Sequence, residues 1–222
     1  MPGIANQYLT ADEAAQLEAL VVRLEAGTGV QIVPAIVGRA DSYPEVPWTA
    51  FALGASLTSL GLVLADRMRP DWVMASTAAM HAMAVLGAGG VCALLAAFVP
   101  AVARVLLHGR RTDVEVRQYA ESLFLRRGLF ATRARTGVLV LVSLFERRIE
   151  IIADSGFAGR VDAADWHGVI ARMTPHLRGH RPFEALREAL TAVEALLVAK
   201  QFRGGITSDN ELPNAAIEES GA

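Results

Sequence analysis

The residues best suited to chemistry are acids that follow a strand-like run late in the chain. Asp154 comes directly after the run Arg148–Ala153. A carboxylate at the end of a strand lies where α/β sheets bind ligands, so Asp154 could hold a cation or act as a general base; an Asx-turn is the alternative. Asp162 and Asp165 could add oxygen ligands, although capping of the following helix also accounts for both. We therefore name Asp154, Asp162 and Asp165 as candidate metal ligands.

No catalytic constellation accompanies these acids in the sequence. His167 and His176 are nine residues apart, which is not the spacing of a zinc-binding pair on one helix. We expect both, together with His180, to be surface or capping residues. Ser155 lacks the G-x-S-x-G pattern of a nucleophile elbow. The sequence therefore assigns no catalytic residue and no cofactor, and leaves open whether the protein is an enzyme.

The composition favours a membrane protein over a nucleic-acid-binding one. Hydrophobic residues make up 53% of the 222 residues and the mean hydropathy is +0.34, whereas the net charge is only −2. A weakly acidic chain has no electrostatic reason to bind nucleic acid. Cys92 is the single cysteine, so no intramolecular disulfide or thiolate metal site is possible.

Two long uncharged runs predict a transmembrane hairpin. Val46–Ala65 has the length of one bilayer span, and within the longer run Trp72–Ala103 we expect a second span at 75–98, with Pro100 ending or kinking it. A loop of a few residues, 66–71, favours an antiparallel pair. The alternative is two buried helices of a soluble core, but such helices normally carry a charged face, and neither run does.

The arginines that flank the spans predict the orientation. Two of them, Arg67 and Arg69, lie in the short loop, while the other side carries five arginines and His108: Arg39, Arg104, Arg110, Arg111 and Arg117. The positive-inside rule therefore places both termini in the cytoplasm. The localisation we expect is a multi-pass protein of a bacterial inner membrane. Arg110, Arg111, Arg133 and Arg135 are candidates for contact with anionic head groups.

The remaining sequence predicts a small α/β layered domain. We expect helices at 10–26 and 112–128, a third that Asp162 or Asp165 caps and that runs to about 176, and a fourth that starts at Arg181 or Pro182 and runs to 202. Strands are expected at 30–38, 136–145 and 148–153, the last two paired as a hairpin. Pro34 inside the first strand argues for an edge position or a bulge. The polar composition of residues 204–222 predicts a disordered tail.

Four segments in this order resemble the TPM domain family, sometimes called TPM phosphatase. They are residues 9–32, 116–124, 136–157 and 165–190. The resemblance implies an αβα sandwich, here split by the hairpin: residues 1–42 and 109–203 form the domain, 43–108 the membrane hairpin and 204–222 the tail. The hairpin would fall between the family's first strand and its second helix.

The same resemblance implies two alternative functions. Some relatives act as accessory proteins in the assembly or maintenance of membrane complexes, and others resemble weak phosphatases or bind calcium. The family often has an acidic loop before its central strand, but here that loop, 131–136, is basic, which argues against a calcium site. We expect an accessory protein with the lipid bilayer and a membrane protein as partners, in which a homo-oligomer is possible; the alternative is a membrane-tethered phosphatase.

Overall fold

The structure is a computed structural model that describes residues 8–68, 75–107, 109–203 and 211–221. Within these ranges, seven α-helices and four strands form a mixed α/β fold, which confirms the predicted fold class. The elements in chain order are α1 (Ala11–Thr28), β1 (Gln31–Arg39), α2 (Glu45–Met68), α3 (Ala75–Phe98), α4 (Pro100–Leu106), α5 (Gly109–Arg126), β2 (Gly137–Ser143), β3 (Arg148–Ala153), α6 (Ala163–Arg178), α7 (Pro182–Ala199) and β4 (Ile217–Gly221).

The chain divides into two compact units. The first is built from residues 1–41 and 110–222, and the second is the continuous stretch 42–109. The first unit contains one four-stranded sheet in the order β3-β2-β1-β4. β1 is parallel to both β2 and β4, and β2 and β3 form the expected antiparallel hairpin.

The two faces of the sheet bury two separate hydrophobic cores. Because side chains alternate along a strand, Ile32 and Ile36 of β1 face a core shared with α1, α6 and α7. Val33 and Val37 face the opposite core, which contains α5. β2 is buried along its whole length, as its uninterrupted apolar run predicts. Helices therefore cover both faces of the sheet, in the layered arrangement expected for it.

The C-terminal segment corrects the predicted disordered tail. Residues 217–221 form β4, which adds a parallel strand at the edge of β1. Glu219 of β4 pairs with Arg126 at 3.2 Å and with Arg127 at 3.0 Å, so the acidic residues that suggested disorder have partners far away in sequence. Of the remaining tail, residues 204–210 and 222 lie outside the described ranges.

Pro34 lies in an inner strand, not in the edge strand that its missing N–H suggested. β1 runs between β2 and β4, but its pairing with β4 starts only at Ala35. Before that point, no strand of the described ranges lies on the side of β1 away from β2. There the N–H of Ile32 donates to the buried Glu25 carboxylate at 3.0 Å. Pro34 therefore occupies β1 without removing a ladder bond to β4.

The second unit consists of α2, α3 and α4, with α2 and α3 packed along each other. α2 and residues 78–98 of α3 are long and apolar enough to cross a membrane. Pro100 separates α4 from α3, since α3 ends at Phe98 and α4 begins with the proline in its first turn. The loop residues 69–74, including Arg69, and His108 lie outside the described ranges.

The two helices approach each other closely at two glycines. A Cβ atom added to Gly54 would lie 2.7 Å from the Sγ of Cys92, and one added to Gly89 would lie 2.8 Å from the ring of Phe51. Gly61, seven residues after Gly54 on the same helix, has nothing within 4 Å of such an atom. Gly54 therefore lies at a close contact between the helices, and Gly61 does not.

Candidate functional site

Asp154 lies at the opposite edge of the sheet from the one its position after a strand suggested. Because β3 runs antiparallel to β2, the end of β3 meets the start of β2, and the N–H of Asp154 donates to the carbonyl of Gly137 at 3.0 Å. The ligand-binding edge of an open α/β sheet is formed by the carboxyl ends of the parallel strands. Asp154 instead faces the basic loop that leads into β2.

The carboxylate of Asp154 is buried and already engaged. Its Oδ1 accepts hydrogen bonds from the N–H of Ser155 at 2.6 Å and from the Ser155 hydroxyl at 3.3 Å, which makes Asp154 the cap of the short 3₁₀ turn that follows. Its Oδ2 lies 3.1 Å from Nε of Arg135. That contact is ionic, since the Nε–H of Arg135 is directed at the Ser155 hydroxyl, 3.4 Å away.

Arg135 is held in place above Asp154 by its own backbone and side chain. Its φ of 55° is in the left-handed region, which is uncommon for a residue other than glycine. Nη1 donates to the carbonyl of Phe130 at 2.9 Å, and the carbonyl of Arg135 accepts from the N–H of Gly156 at 2.9 Å. The guanidinium therefore supplies the positive charge beside the only buried aspartate of the described ranges.

A calcium ion does not fit the donor set around Asp154. Calcium needs six to eight oxygen ligands, preferably with several carboxylates. Here one carboxylate oxygen caps a turn and the other faces a guanidinium. Across the described ranges, no three His, Cys, Asp or Glu side chains lie close enough together to hold a metal. We therefore derive no chemistry through a metal at this site.

Asp162 and Asp165 form a capping box at the start of α6. The Asp162 side chain accepts from the backbone of Asp165, and the Asp165 carboxylate accepts from the N–H of Asp162 at 2.9 Å. Asp165 also contacts the ammonium group of Lys200 at 2.6 Å, and hydrogen bonding to Lys200 lowers its pKa. Metal binding by these two aspartates stays a prediction of the sequence, while capping is the role that the geometry gives them.

Within the described ranges, the contacts of the Asp154 carboxylate are with Ser155 and Arg135, and the three histidines of the first unit have other surroundings. His167 is exposed on α6, and His180 follows α6 with its Nε2 at 2.7 Å from the guanidinium of Arg147. The ring of His176 is half-buried, and its Nδ1 has no hydrogen-bond partner within the described part of the chain. No base–nucleophile pair results from these positions.

Two buried glutamates were not singled out from the sequence. Glu146 accepts from the N–H of Ala40 at 2.9 Å and from the hydroxyl of Ser143, so it ties the end of β1 to the β2–β3 turn. Glu25, on α1, accepts from Ile32, and burial raises its pKa to about 7. A signal for Glu25 was its place at the end of the apolar face of α1, where a carboxylate can reach the first N–H groups of β1.

The four arginines proposed for lipid contact differ in their surroundings. Arg110 is exposed at the start of α5, and Arg111 lies 3.5 Å from Asp41 and 3.7 Å from Glu115. The backbone N–H of Arg133 donates to Glu211 at 2.8 Å, while Arg135 covers Asp154. Arg111 and Arg135 thus both lie beside carboxylates of the α/β unit. Lipid contact stays a prediction for all four arginines.

Comparisons with known proteins support part of the predicted family resemblance. A family model described as the TPM domain matches residues 100–196, which is less than half of the chain. Three of the four segments that carried the resemblance lie inside this range, and residues 9–32 lie outside it. No curated protein matches the chain.

A solved structure is similar to the chain as a fold. It is the NMR structure of BA42 protein from the psychrophilic bacterium Bizionia argentinensis, with a TM-score of 0.58 and 13% identity over 98% of this chain and 99% of that one. At this identity the likeness concerns the fold alone. The chain thus has an α/β fold similar to that of BA42, and its residues 100–196 match the TPM domain.

Proposed function

We propose that the protein is a membrane-anchored accessory protein, in which the α2–α3 hairpin holds a TPM-like α/β unit at the bacterial inner membrane. The unit binds another membrane protein and performs no hydrolysis. Following the arginine count, we place the α/β unit in the cytoplasm. Two observations support the proposal. The first concerns the hairpin as a membrane anchor, and the second concerns Asp154 as a metal ligand.

The observation that carries the proposal is the exposed apolar surface of the hairpin. Only 11% of the apolar window of each helix is buried, and leucines such as Leu57 and Leu86 are 68% and 62% exposed. A core helix of a soluble protein would bury such residues, and a continuous apolar surface of this kind marks a site of membrane or protein contact. A bilayer accounts for two adjacent helices that are apolar on their outer surfaces.

The second support is the pairing of Arg135 with Asp154. A TPM-type phosphatase would use acidic groups near this strand to hold a metal, yet the guanidinium occupies the free face of the buried Asp154 carboxylate. The phosphatase is supported only by the family resemblance. A phosphatase is nevertheless the alternative that an assay must exclude. Because the guanidinium of Arg135 stands where a phosphatase would hold a metal ion, the site favours a partner-binding role over phosphate hydrolysis.

The test combines membrane extraction with an activity assay on the full-length protein. We expect the protein to stay in the membrane fraction after an alkaline wash, which removes peripheral proteins. In detergent, it should show no calcium-dependent rise in melting temperature and no phosphomonoester hydrolysis above that of Asp154→Asn between about pH 5 and pH 8. Hydrolysis that is lost on both chelation and Asp154→Asn would establish the phosphatase instead.

A further inference from the structure

The C-terminal strand β4 occupies a groove whose binding groups all come from elsewhere in the chain. Along β1, Ile217 lies opposite Ala35, Glu219 opposite Val37 and Gly221 opposite Arg39. A Cβ added at Gly221 would overlap the carbonyl oxygen of Arg39, and the φ of Gly221 is +80°, so this end of the groove requires glycine. β1 thus presents its edge to a short strand of defined sequence.

Two sets of hydrogen-bond donors along this groove, which is the space beside β1 that β4 fills, bind the carboxylates of β4. Glu219 accepts from the hydroxyl of Tyr119 and pairs with Arg126 at 3.2 Å and Arg127 at 3.0 Å. On the other side, Glu218 accepts from two consecutive backbone N–H groups just before α1, those of Tyr8 and Leu9, the latter at 3.2 Å. Neighbouring carboxylates of one strand are therefore recognised on opposite faces of the sheet.

The receptor around Glu219 is built for a charged carboxylate. Burial alone would raise the pKa of Glu219, but the Tyr119 hydroxyl and the two arginines outweigh it and lower the pKa. Burial and the nearby carboxylate raise the pKa of Tyr119 to about 12, so its hydroxyl stays a donor at neutral pH. Charge-assisted hydrogen bonds of this kind are about twice as strong as neutral ones.

The C-terminal segment fills this site incompletely. A cavity of about 520 Å³ remains beside it. Its apolar lining includes Val33, Leu129, Leu212, Ala215, Ala216 and Ile217. This volume is within the range of small-molecule pockets, and the two alanines of the segment offer only methyl groups to it. A strand with a larger apolar side chain at one of these positions would bury more surface than the chain's own segment does.

We propose that this groove is a receptor for an extended acidic strand of a partner protein, and that Ile217–Gly221 is a built-in occupant which the partner displaces. The partner strand carries an apolar residue at the position of Ile217 and acidic residues at the positions of Glu218 and Glu219. At the position of Ala216 it carries an apolar side chain larger than that of alanine. It adds to β1 by main-chain hydrogen bonds, while the arginine pair selects its second carboxylate. The inference deepens the proposed function, since it names the chemistry of the partner, and it rests on that function.

The experiment measures binding of a fluorescent peptide to the full-length protein in detergent. The probe has the sequence of residues 214–221 with Leu in place of Ala216. In the Glu219→Lys protein, the chain's own strand is repelled by Arg126 and Arg127, so the peptide should bind at least about tenfold more tightly than to the wild type. Glu18→Lys, at an exposed position of α1, makes the same change in net charge and should leave the affinity at the wild-type value.

A charge swap separates specific binding from nonspecific attraction, and hydrogen exchange checks that β1 stays paired when the probe is present. Adding Arg126→Glu and Arg127→Glu to the Glu219→Lys protein should abolish binding of the acidic peptide and allow binding of a peptide with two lysines in place of its glutamates. In the wild type, a saturating amount of the probe should preserve the protection of amides 35–39, since one strand replaces the other.

The proposal is overturned if Glu219→Lys, with an unchanged circular dichroism spectrum, shows no gain in affinity, or if the lysine peptide binds the arginine-containing groove equally well. Loss of protection at amides 35–39 on adding the probe would also contradict it. The outcomes of the alkaline-wash and hydrolysis tests do not depend on any of these results. Failure of this inference is therefore distinguishable from failure of the proposed function.

Discussion

At the residue scale, the charged side chains buried in the α/β unit each have a structural partner. Asp154 is covered by Arg135, Glu146 fixes a turn, and Glu25 closes the open edge of β1. Each of these carboxylates has a structural partner, and buried groups of this kind are costly when a partner is removed. Their predicted effects are therefore on unfolding and its pH dependence.

Removal of Arg135 should destabilise the α/β unit. Arg135→Gln leaves the Asp154 carboxylate buried beside an uncharged group, so we expect a loss of about 1–3 kcal/mol in the free energy of unfolding. Adding Asp154→Asn should recover part of the loss, because the charge is then gone. Urea unfolding in detergent measures both, with the exposed Arg178→Gln as a control; equal stability of Arg135→Gln and the control would contradict the pairing.

Glu25 should make stability fall as the pH rises. Burial raises its pKa in the folded state to about 7, above the value of 4.5 for the unfolded chain. Between these two pH values, Glu25 binds more protons in the folded state than in the unfolded state. Its contribution to the free energy of unfolding is therefore greatest below pH 4.5 and declines as the pH rises through about 7.

Replacing Glu25 by glutamine should flatten this decline. The glutamine side chain keeps an oxygen that can accept from Ile32 and has no charge to bury. The difference in free energy of unfolding between Glu25→Gln and the wild type should therefore be about 1–3 kcal/mol more favourable to the variant above pH 8 than below pH 5. Chemical denaturation across this range measures the difference. Glu18→Gln, exposed on the same helix, should keep the wild-type slope; a wild-type slope in Glu25→Gln would rule out the assignment.

The element scale shows which features the sequence could predict. The β2–β3 hairpin, the helix faces and the Thr10–Glu13 capping box all follow from local patterns of a few residues. β4 was missed because its five residues include two glutamates and only one large apolar side chain. Its partners Tyr119, Arg126 and Arg127 are about 90 to 100 positions away, and no local pattern links them to it.

The candidate site was predictable as a set of residues but not as an arrangement. Asp154 and Arg135 were both singled out, one as a metal ligand and the other as a lipid contact. Their pairing depends on the antiparallel direction of β3, which brings the end of that strand to the loop before β2. An ion pair across two loops is a property of the assembled sheet.

Packing of α2 on α3 should depend on Gly54 and not on Gly61. Gly54→Ala forces a methyl group against Cys92, so we expect a loss of about 1–3 kcal/mol and a lower melting temperature in detergent. Gly61→Ala has open space and should be neutral or stabilising, because alanine favours a helix. Adding Cys92→Ala removes the closest contact and should recover part of the loss in Gly54→Ala; identical melting of the two glycine variants would refute the contact.

At the scale of the whole molecule, the two units differ in how they place their apolar residues. The α/β unit buries its apolar residues in two cores, as a water-soluble domain does. The α2–α3 unit instead leaves its large apolar residues exposed, which is stable only in contact with lipid or other protein. Residues 42–109 separate the two parts of the α/β unit, 1–41 and 110–222. If α2 and α3 span a membrane, as we propose, both parts must emerge on the same side of it.

Accessibility of single cysteines tests this central claim most directly. In a Cys92→Ala background, cysteine would replace Leu57 in the middle of α2, Met68 at its end and the exposed Ala164 of α6, and an impermeant maleimide would be added to intact cells and to opened membranes. We predict labelling at position 68 in intact cells, at 164 only after opening, and at 57 only after detergent is added. Labelling at position 57 as fast as at 164 in opened membranes would contradict the account, because α2 would then face water and not lipid.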